Sequence, residues 1–404
     1  MTFIESLLIY TNASESPKKY YYWAGLSAIA SVVKSNVWLD KFYYKLYPNI
    51  YVLLVGRSGL RKGPPVHLAK TLVSTIDNTR IFAGRMSIQG IIADLSRAVT
   101  KSSGGPPVTT ADGALFASEF ASFIIQDSSA LTILTDLYDG HYNPEWSYML
   151  RNSPTEKLKA PCLTLLGASN EAHIKDAIPE NAIGGGFVAR TFIIYADKKS
   201  GINPLTSRPP ITFDISVLVD KLRAIAKCRG AFSYSDKGKK VYDDWYQQFQ
   251  EVEELGEDTT GTMERLHDHI LKTAMLISLS RKQDLVLEEE DITEAIKACS
   301  DFVPGAKRIG LGQMGKSVSA PGTSVLLKEL IMHPDHEISK TAALQKHWAH
   351  FDTFELDRIA ESLVAQHAIV ITLKRGEGGK HEQWYILNKM VLERYMERER
   401  KEKG

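Results

Sequence analysis

Residues 55–65, VGRSGLRKGPP, carry the spacing of a phosphate-binding loop, G-x-x-x-x-G-K-[ST], with two defining positions changed. Gly56 opens the loop and Lys62 holds the lysine position, but Arg61 stands for the second glycine and Gly63 for the Ser or Thr. In such a loop backbone N–H groups cradle phosphates, the lysine reaches the β and γ phosphates, and the hydroxyl ligates magnesium. Gly56, Ser58, Gly59, Arg61, Lys62 and Gly63 are therefore the candidate nucleotide-binding residues. Lys62 still supplies charge. Gly63 has no hydroxyl for the metal, and Pro64 has no N–H to offer a phosphate. Prolines in a first helical turn do not harm folding, so their cost falls on ligand binding.

Downstream, ALFASEF reads as a buried strand ending at Ser118 and Glu119. A carboxylate there positions or deprotonates an attacking water, and Ser118 with Glu119 is the candidate magnesium pair. An acid after a strand is also an ordinary helix-start residue. CLTLLGASN ends a further strand at Asn170, whose amide would orient a water at the γ phosphate or would simply cap a turn. In GGGFVARTF, Arg190 is a candidate arginine finger, in its own or a neighbouring subunit, with a structural salt bridge as the alternative. Arg265, in TMERLHDHILK, is a second candidate phosphate-sensing arginine.

Between those strands, Tyr142, Trp146, Tyr148, Arg151, Lys157 and Lys159 mix stacking rings with cations, the ingredients of single-strand binding or of a hairpin packed on its own domain. Towards the C-terminus, Lys340, Lys346, Lys374, Arg375 and Lys380 are candidate phosphate contacts.

The elements that must position these residues follow from periodicity. Residues 1–45 read as helices; NIYVLLVG is a continuous apolar strand delivering the chain into the loop, and VHLAKTLVSTI is the helix that leaves it. With ALFASEF, APCLTLLGASN and RTFIIYADKK as further strands, residues 46–205 predict an α/β core with a parallel sheet. TKSSGGPPVTTADG reads as a surface loop. After the Pro-rich NPLTSRPPITFD, residues 206–309 read as a helical, lid-like region and 310–322 as a linker. Residues 323–404 read as three helices and a two-stranded wing, a winged-helix domain.

Composition narrows the partners. The 404 residues are 44% hydrophobic with a formal charge of +1, so nucleic-acid affinity must come from local clusters. Three scattered cysteines suggest neither a zinc site nor a disulfide framework, and a reducing cytoplasm is expected. Neither a signal peptide nor a membrane-spanning run is apparent, so no membrane partner is expected.

Taken together, SESPKKYYYWAGLSAIASVV, YPNIYVLLVGRSGLRKG, ALFASEFASFI, LTDLYDGHY, APCLTLLGASN and GGGFVARTFIIY resemble the phage and mobile-element P-loop ATPases of primase-helicase proteins, over residues 1–300. The resemblance implies a RecA/AAA+-like core using ATP and Mg2+ in DNA replication, as a homo-oligomeric ring such as a hexamer. Within it Lys62 matches the Walker A lysine, Glu119 the Walker B glutamate, Asn170 the sensor and Arg190 the finger. Arg61 and Gly63 depart from the usual loop and put magnesium ligation in question. No primase-like carboxylate cluster is evident, so priming would need a separate protein. The reading is an ATP-dependent motor on single-stranded and forked DNA, in the cytoplasm of a bacterial host. Two alternatives stay open: a nucleotide-binding helicase loader or scaffold with little hydrolysis, and a transcriptional regulator with a degenerate core.

Overall fold

The computed structural model describes residues 1–97, 99–101, 108–125, 127, 129–140, 145–149, 155–178, 186–203, 214–251, 261–300, 320–347, 351–365, 367–375 and 381–392. They fall into two compact units, residues 1–310 and 311–404.

In the first unit, Thr2 closes a capping box with Glu5 and starts α1 (Phe3–Tyr10). Helix α2 (Lys18–Val33) is apolar nearly all round, because it is buried nearly all round. Strands β1 (Val37–Asp40) and β2 (Lys45–Leu46) precede β3 (Tyr51–Val55), which leads into α3 (Gly63–Ser74). Then come β4 (Ile81–Ala83), α4 (Ile88–Ser96), the paired β5 (Val99–Lys101) and β6 (Val108–Thr110), and β7 (Asp112–Ala117). The chain continues through α5 (Phe120–Ile125), α6 (Ala130–Tyr138), the hairpin of β8 (Glu145–Tyr148) and β9 (Glu156–Lys159), β10 (Cys162–Ser169), α7 (Glu171–Ala177) and β11 (Thr191–Tyr195).

Five of these strands form one parallel sheet in the order β11-β3-β10-β7-β4. Strand β3 shows why it must be central. Val52 and Leu54 join the core shared with α2 and α3, whereas Tyr51, Leu53 and Val55 join the core on the opposite face, with α4, α5 and α6. A strand covered on both faces needs a continuous apolar run, and YVLLV supplies one. The three-residue β4 is an edge strand that the sequence reading passed over.

Beyond residue 213, where the sequence predicts helices alone, the structure adds strands. It contains α8 (Ile215–Ile225), β12 (Gly230–Tyr234), α9 (Asp236–Glu251), α10 (Leu266–Arg281), β13 (Val286–Leu287) and α11 (Glu289–Ser300). Strand β12 pairs in parallel with β1 in a sheet of order β13-β12-β1-β2, so the N-terminal segment and this region share one sheet. Part of the loop read at residues 100–113 is paired, with Val99–Lys101 against Val108–Thr110.

In the second unit, α12 (Ala320–Met332), β14 (Glu337–Ser339), α13 (Lys340–Lys346) and α14 (Thr353–Ala365) precede a hairpin of β15 (Ile369–Arg375) and β16 (His381–Leu387). The sheet order is β14-β16-β15, all antiparallel. Leu326, Leu330, Ile338, Leu356, Ile359 and Tyr385 form its core. Across the described residues no helix is long and apolar enough to cross a membrane.

Candidate functional site

Parallel strands all point the same way, so their carboxyl ends share one edge of the sheet, and a crevice opens there where the strand order reverses. Here the reversal is at β3. From it the chain crosses to the far edge at β4, returns through β7 and β10, and finally places β11 on the other side of β3. Gly56 follows β3, Ser118 and Glu119 follow β7, and Asn170 follows β10, the strand between them. Register confirms the alignment: Val55 lies opposite Ser169, and Gly167 opposite Ala117.

The loop at the end of β3 is held by contacts of its own. Tyr20 donates its hydroxyl to the Val55 carbonyl at 2.6 Å, and Arg57 donates to the Asp197 carbonyl at 3.1 Å. A Cβ on Gly56 would lie 2.6 Å from Leu60 Cδ1 and 2.8 Å from both the Ala196 carbonyl oxygen and the Tyr20 hydroxyl, so only glycine fits. Gly59 has φ +85 and needs its glycine for backbone reasons. Arg61 has φ 55, the left-handed region that the second glycine of the usual pattern would occupy without strain. The chain keeps the glycine conformation and replaces the glycine. Arg61 Nε in turn pairs with Glu15 at 3.2 Å. Lys199 Nζ also donates to Glu15, at 2.8 Å, and Lys199, the Asn203 N–H and Arg61 together hold the Glu15 carboxyl at about 2. Glu15 thus ties the loop to the segment after β11, a role the sequence reading missed because its partners lie 46 and 184 residues away.

Lys62 Nζ donates to the Gly56 and Arg57 carbonyls, each at 2.8 Å, so the ammonium sits in the mouth of its own loop. Desolvation lowers its pKa, and the negative charge of Glu119 opposes that shift. Ser118 and Glu119 are exposed. Asn170 caps α7, its Oδ1 accepting the His173 N–H at 2.7 Å. A Cβ at Gly63 would meet nothing within 4 Å. Among the described residues no group of three or more His, Cys, Asp or Glu is placed to hold a metal ion.

No family model matches the chain, and no curated protein matches it.

Two expected members of this site lie elsewhere. Arg190 ends the short helix Val188–Arg190 immediately before β11, at the amino end of that strand. Thr191 is level with Tyr51, four residues below Val55, and at roughly 3.3 Å per residue Arg190 is more than about 13 Å from its own loop. Its guanidinium pairs with Asp139 and donates to the Gly186 carbonyl at 2.9 Å, with 13% of the side chain exposed. Arg265 reaches the same Asp139 carboxylate at 3.6 Å. Neither arginine can serve the loop of its own chain. Both belong to a charged cluster at the amino edge of the sheet, around a cavity of about 10 Å3 lined by Tyr138, Asp139, Arg265, Asp268, His269 and Lys272.

That cluster is built as structure. Lys272 is 1% exposed; it donates to the Asn49 carbonyl at 3.1 Å and to Asn49 Oδ1 at 2.8 Å, and lies 4.0 Å from the Tyr138 ring centroid. Burial pushes its pKa down to about 8 against the upward pull of Asp139 and Asp268. His269 is held neutral, its pKa pushed to about 3 by burial, and donates Nε2–H to the Ala189 carbonyl at 2.7 Å.

The proposed strand-binding residues are also divided. In the hairpin of β8 and β9, Trp146 lies opposite Leu158 and Tyr148 opposite Glu156, whereas Glu145 faces Lys159 and Ser147 faces Lys157. Residues opposite one another share a face, so the stacked Trp146 and Tyr148 rings pack towards the core while Lys157 and Lys159 point away. The expected single surface of rings and cations is two surfaces. Lys157 is further paired with Glu145 at 3.1 Å. In the second unit Lys374 pairs with Glu337 at 2.6 Å, Lys346 with Glu329 at 2.7 Å and Lys340 with Asp357. These lysines meet carboxylates before any phosphate. Tyr142, Arg151 and Lys380 lie outside the described residues, as does the side chain of Arg375.

Proposed function

We propose that the chain is a P-loop NTPase of the RecA/AAA+ type that drives a motor on single-stranded DNA. The observation that carries this reading is the convergence of Lys62, the Ser118–Glu119 pair and Asn170 at the carboxyl ends of three adjacent parallel strands, beside the strand-order reversal where α/β sheets bind ligands. In this reading ATP lays its phosphates across the 56–63 loop and Lys62 leaves the Gly56 and Arg57 carbonyls for them. Glu119 takes up the attacking water. Asn170 spends only its oxygen on the α7 cap, so its amide hydrogens are the donors that would orient that water. Magnesium would enter with the nucleotide, held by Ser118 and Glu119, and would neutralise charge developing on the phosphates. A single exposed carboxylate with a hydroxyl suits an ion that keeps most of its ligands as water and phosphate oxygen.

Arg190 enters only in trans. A ring of copies would present the arginine of one subunit to the loop of the next, and Asp139 would have to release it. The second unit, with three helices and an antiparallel hairpin, is read as a winged helix. If the resemblance to phage and mobile-element ATPases of primase-helicase proteins holds, such a motor would serve replication, with priming left to a separate protein.

A second reading, a nucleotide-bound loader or scaffold that turns over little, is favoured by one specific feature. The first turn of α3 carries Gly63, Pro64 and Pro65, which removes the metal hydroxyl and two N–H donors from the helix end that faces the phosphates. Magnesium-dependent ATP hydrolysis by the purified chain, with Lys62→Ala alongside, decides between the two. Hydrolysis lost in the variant supports the motor; nucleotide binding without hydrolysis supports the loader.

A further inference from the structure

The turn between β1 and β2, Asp40-Lys41-Phe42-Tyr43-Tyr44-Lys45, presents Phe42 and Tyr43 to solvent with 87% and 90% of their surface exposed. Scattered exposed apolar residues need no explanation, but these two are adjacent, in edge-to-face contact with centroids 4.8 Å apart. The backbone adds a second anomaly. Phe42 has φ 67, a conformation in which glycine or asparagine sits easily and a bulky ring does not. The turn is nevertheless well built: Asp40 Oδ1 accepts the Phe42 N–H at 2.9 Å, the Tyr43 N–H donates to the Lys41 carbonyl at 2.8 Å, and the Lys41 N–H donates to the Tyr44 carbonyl at 2.9 Å. Strained residues that the surroundings hold in place are found where the side chain is used.

Charge and position narrow what the rings meet. Lys45 Nζ lies 4.1 Å from the Trp38 ring centroid and Lys41 Nζ 5.9 Å from that of Tyr242, so both ammonium groups are anchored beside the tip. The one acid of the turn, Asp40, has an oxygen committed to the Phe42 N–H. Strand β2 leads into β3, and β9 leads into β10, the neighbour of β3 in the sheet. The aromatic tip and the hairpin bearing Lys157 and Lys159 therefore both feed the amino edge of the sheet, away from the 56–63 loop. A polymer with planar apolar units and regularly spaced negative charge matches rings flanked by lysines.

We propose that the Phe42–Tyr43 tip is a base-stacking element for single-stranded nucleic acid, with Lys41 and Lys45 on the adjoining phosphates. The inference rests on the motor reading for its partner but not for its chemistry. It is tested by fluorescence anisotropy of a labelled oligothymidylate with the full chain and with Phe42→Asn/Tyr43→Ser, in which asparagine suits the left-handed backbone and folding is preserved. The expected result is an affinity about ten-fold or more weaker, from the lost stacking, with the salt dependence kept because the lysines remain. ATP hydrolysis without DNA should be unchanged. Equal affinity in the two proteins, or no binding of oligothymidylate by the parent chain, overturns the proposal. It is also overturned if light scattering shows a changed assembly mass while the assembled variant binds normally, since the tip would then contact a second copy. A tip-dependent affinity in a chain that hydrolyses no ATP upholds this inference and overturns the motor; intact hydrolysis with tip-independent binding does the reverse.

Discussion

The two edges of the central sheet use charge in opposite ways. At the carboxyl edge, Lys62 rests on two backbone carbonyls, and Glu119 and Ser118 are exposed. At the amino edge, Arg190 and Arg265 converge on Asp139, and Lys272 is sealed against Asn49 and Tyr138. An ammonium resting on carbonyls exchanges them for phosphate oxygens at little cost, whereas a guanidinium taken from a part-buried carboxylate leaves two desolvated charges behind. On the proposed reading the first edge receives a ligand, whereas the Asp139 cluster of the second holds the fold.

If that contrast is right, removing charge at the amino edge damages stability before activity. Asp139→Ala strands Arg190 in a part-buried position and should cost about 3 kcal/mol, seen as a lower denaturant midpoint. A midpoint within error of the parent would mean that the cluster is not structural. At the carboxyl edge the reverse is expected. Gly63→Ser adds a side chain whose Cβ would meet nothing within 4 Å, so stability should change little. By restoring the missing metal ligand it should raise magnesium-dependent hydrolysis about ten-fold in steady-state assays.

Titration sharpens the comparison. The folded-state pKa of Lys272 is depressed, from 10.5 to about 8, so the unfolded chain binds the extra proton between those values and stability rises with pH. From pH 8 to 9 the gain should be about 1 kcal/mol, absent in Lys272→Met. His269 is depressed from 6.5 to about 3, so stability falls as pH drops below 6.5, by at most about 1.4 kcal/mol per unit, and His269→Gln should flatten that limb. Chemical denaturation across pH 4 to 9 reads both slopes. The smallest effect belongs to the loop: Arg61→Gly relieves the strain at φ 55 but gives up the pair with Glu15, two opposing changes that should leave the denaturant midpoint nearly where it was.

The strands of the sheet were legible because strands buried on both faces must read as apolar runs, and β3, β7, β10 and β11 do so. Their endings placed Gly56, Glu119 and Asn170 correctly relative to each strand. The three-residue edge strand β4 carries too few residues to show a period, and β12 has five but buries only Phe232, so it never reads as an apolar run. That Arg190 could act only from a neighbouring subunit was not legible, for a different reason. Motif order along a chain does not say which end of a strand a residue occupies in space, and a residue before a strand lies at the opposite edge from one after it. The hairpin failed on register. The alternation of Trp146 with Tyr148 and of Lys157 with Lys159 was visible, but which pair shares a face is fixed by pairing across the turn.

On the proposed reading the altered phosphate loop still works with Glu119. The measurement that tests it most directly is ATP hydrolysis with and without single-stranded DNA, for the parent chain and Glu119→Gln. The account predicts hydrolysis stimulated by DNA and lost by a factor of about 100 or more in the variant. Equal hydrolysis in the two proteins would contradict it.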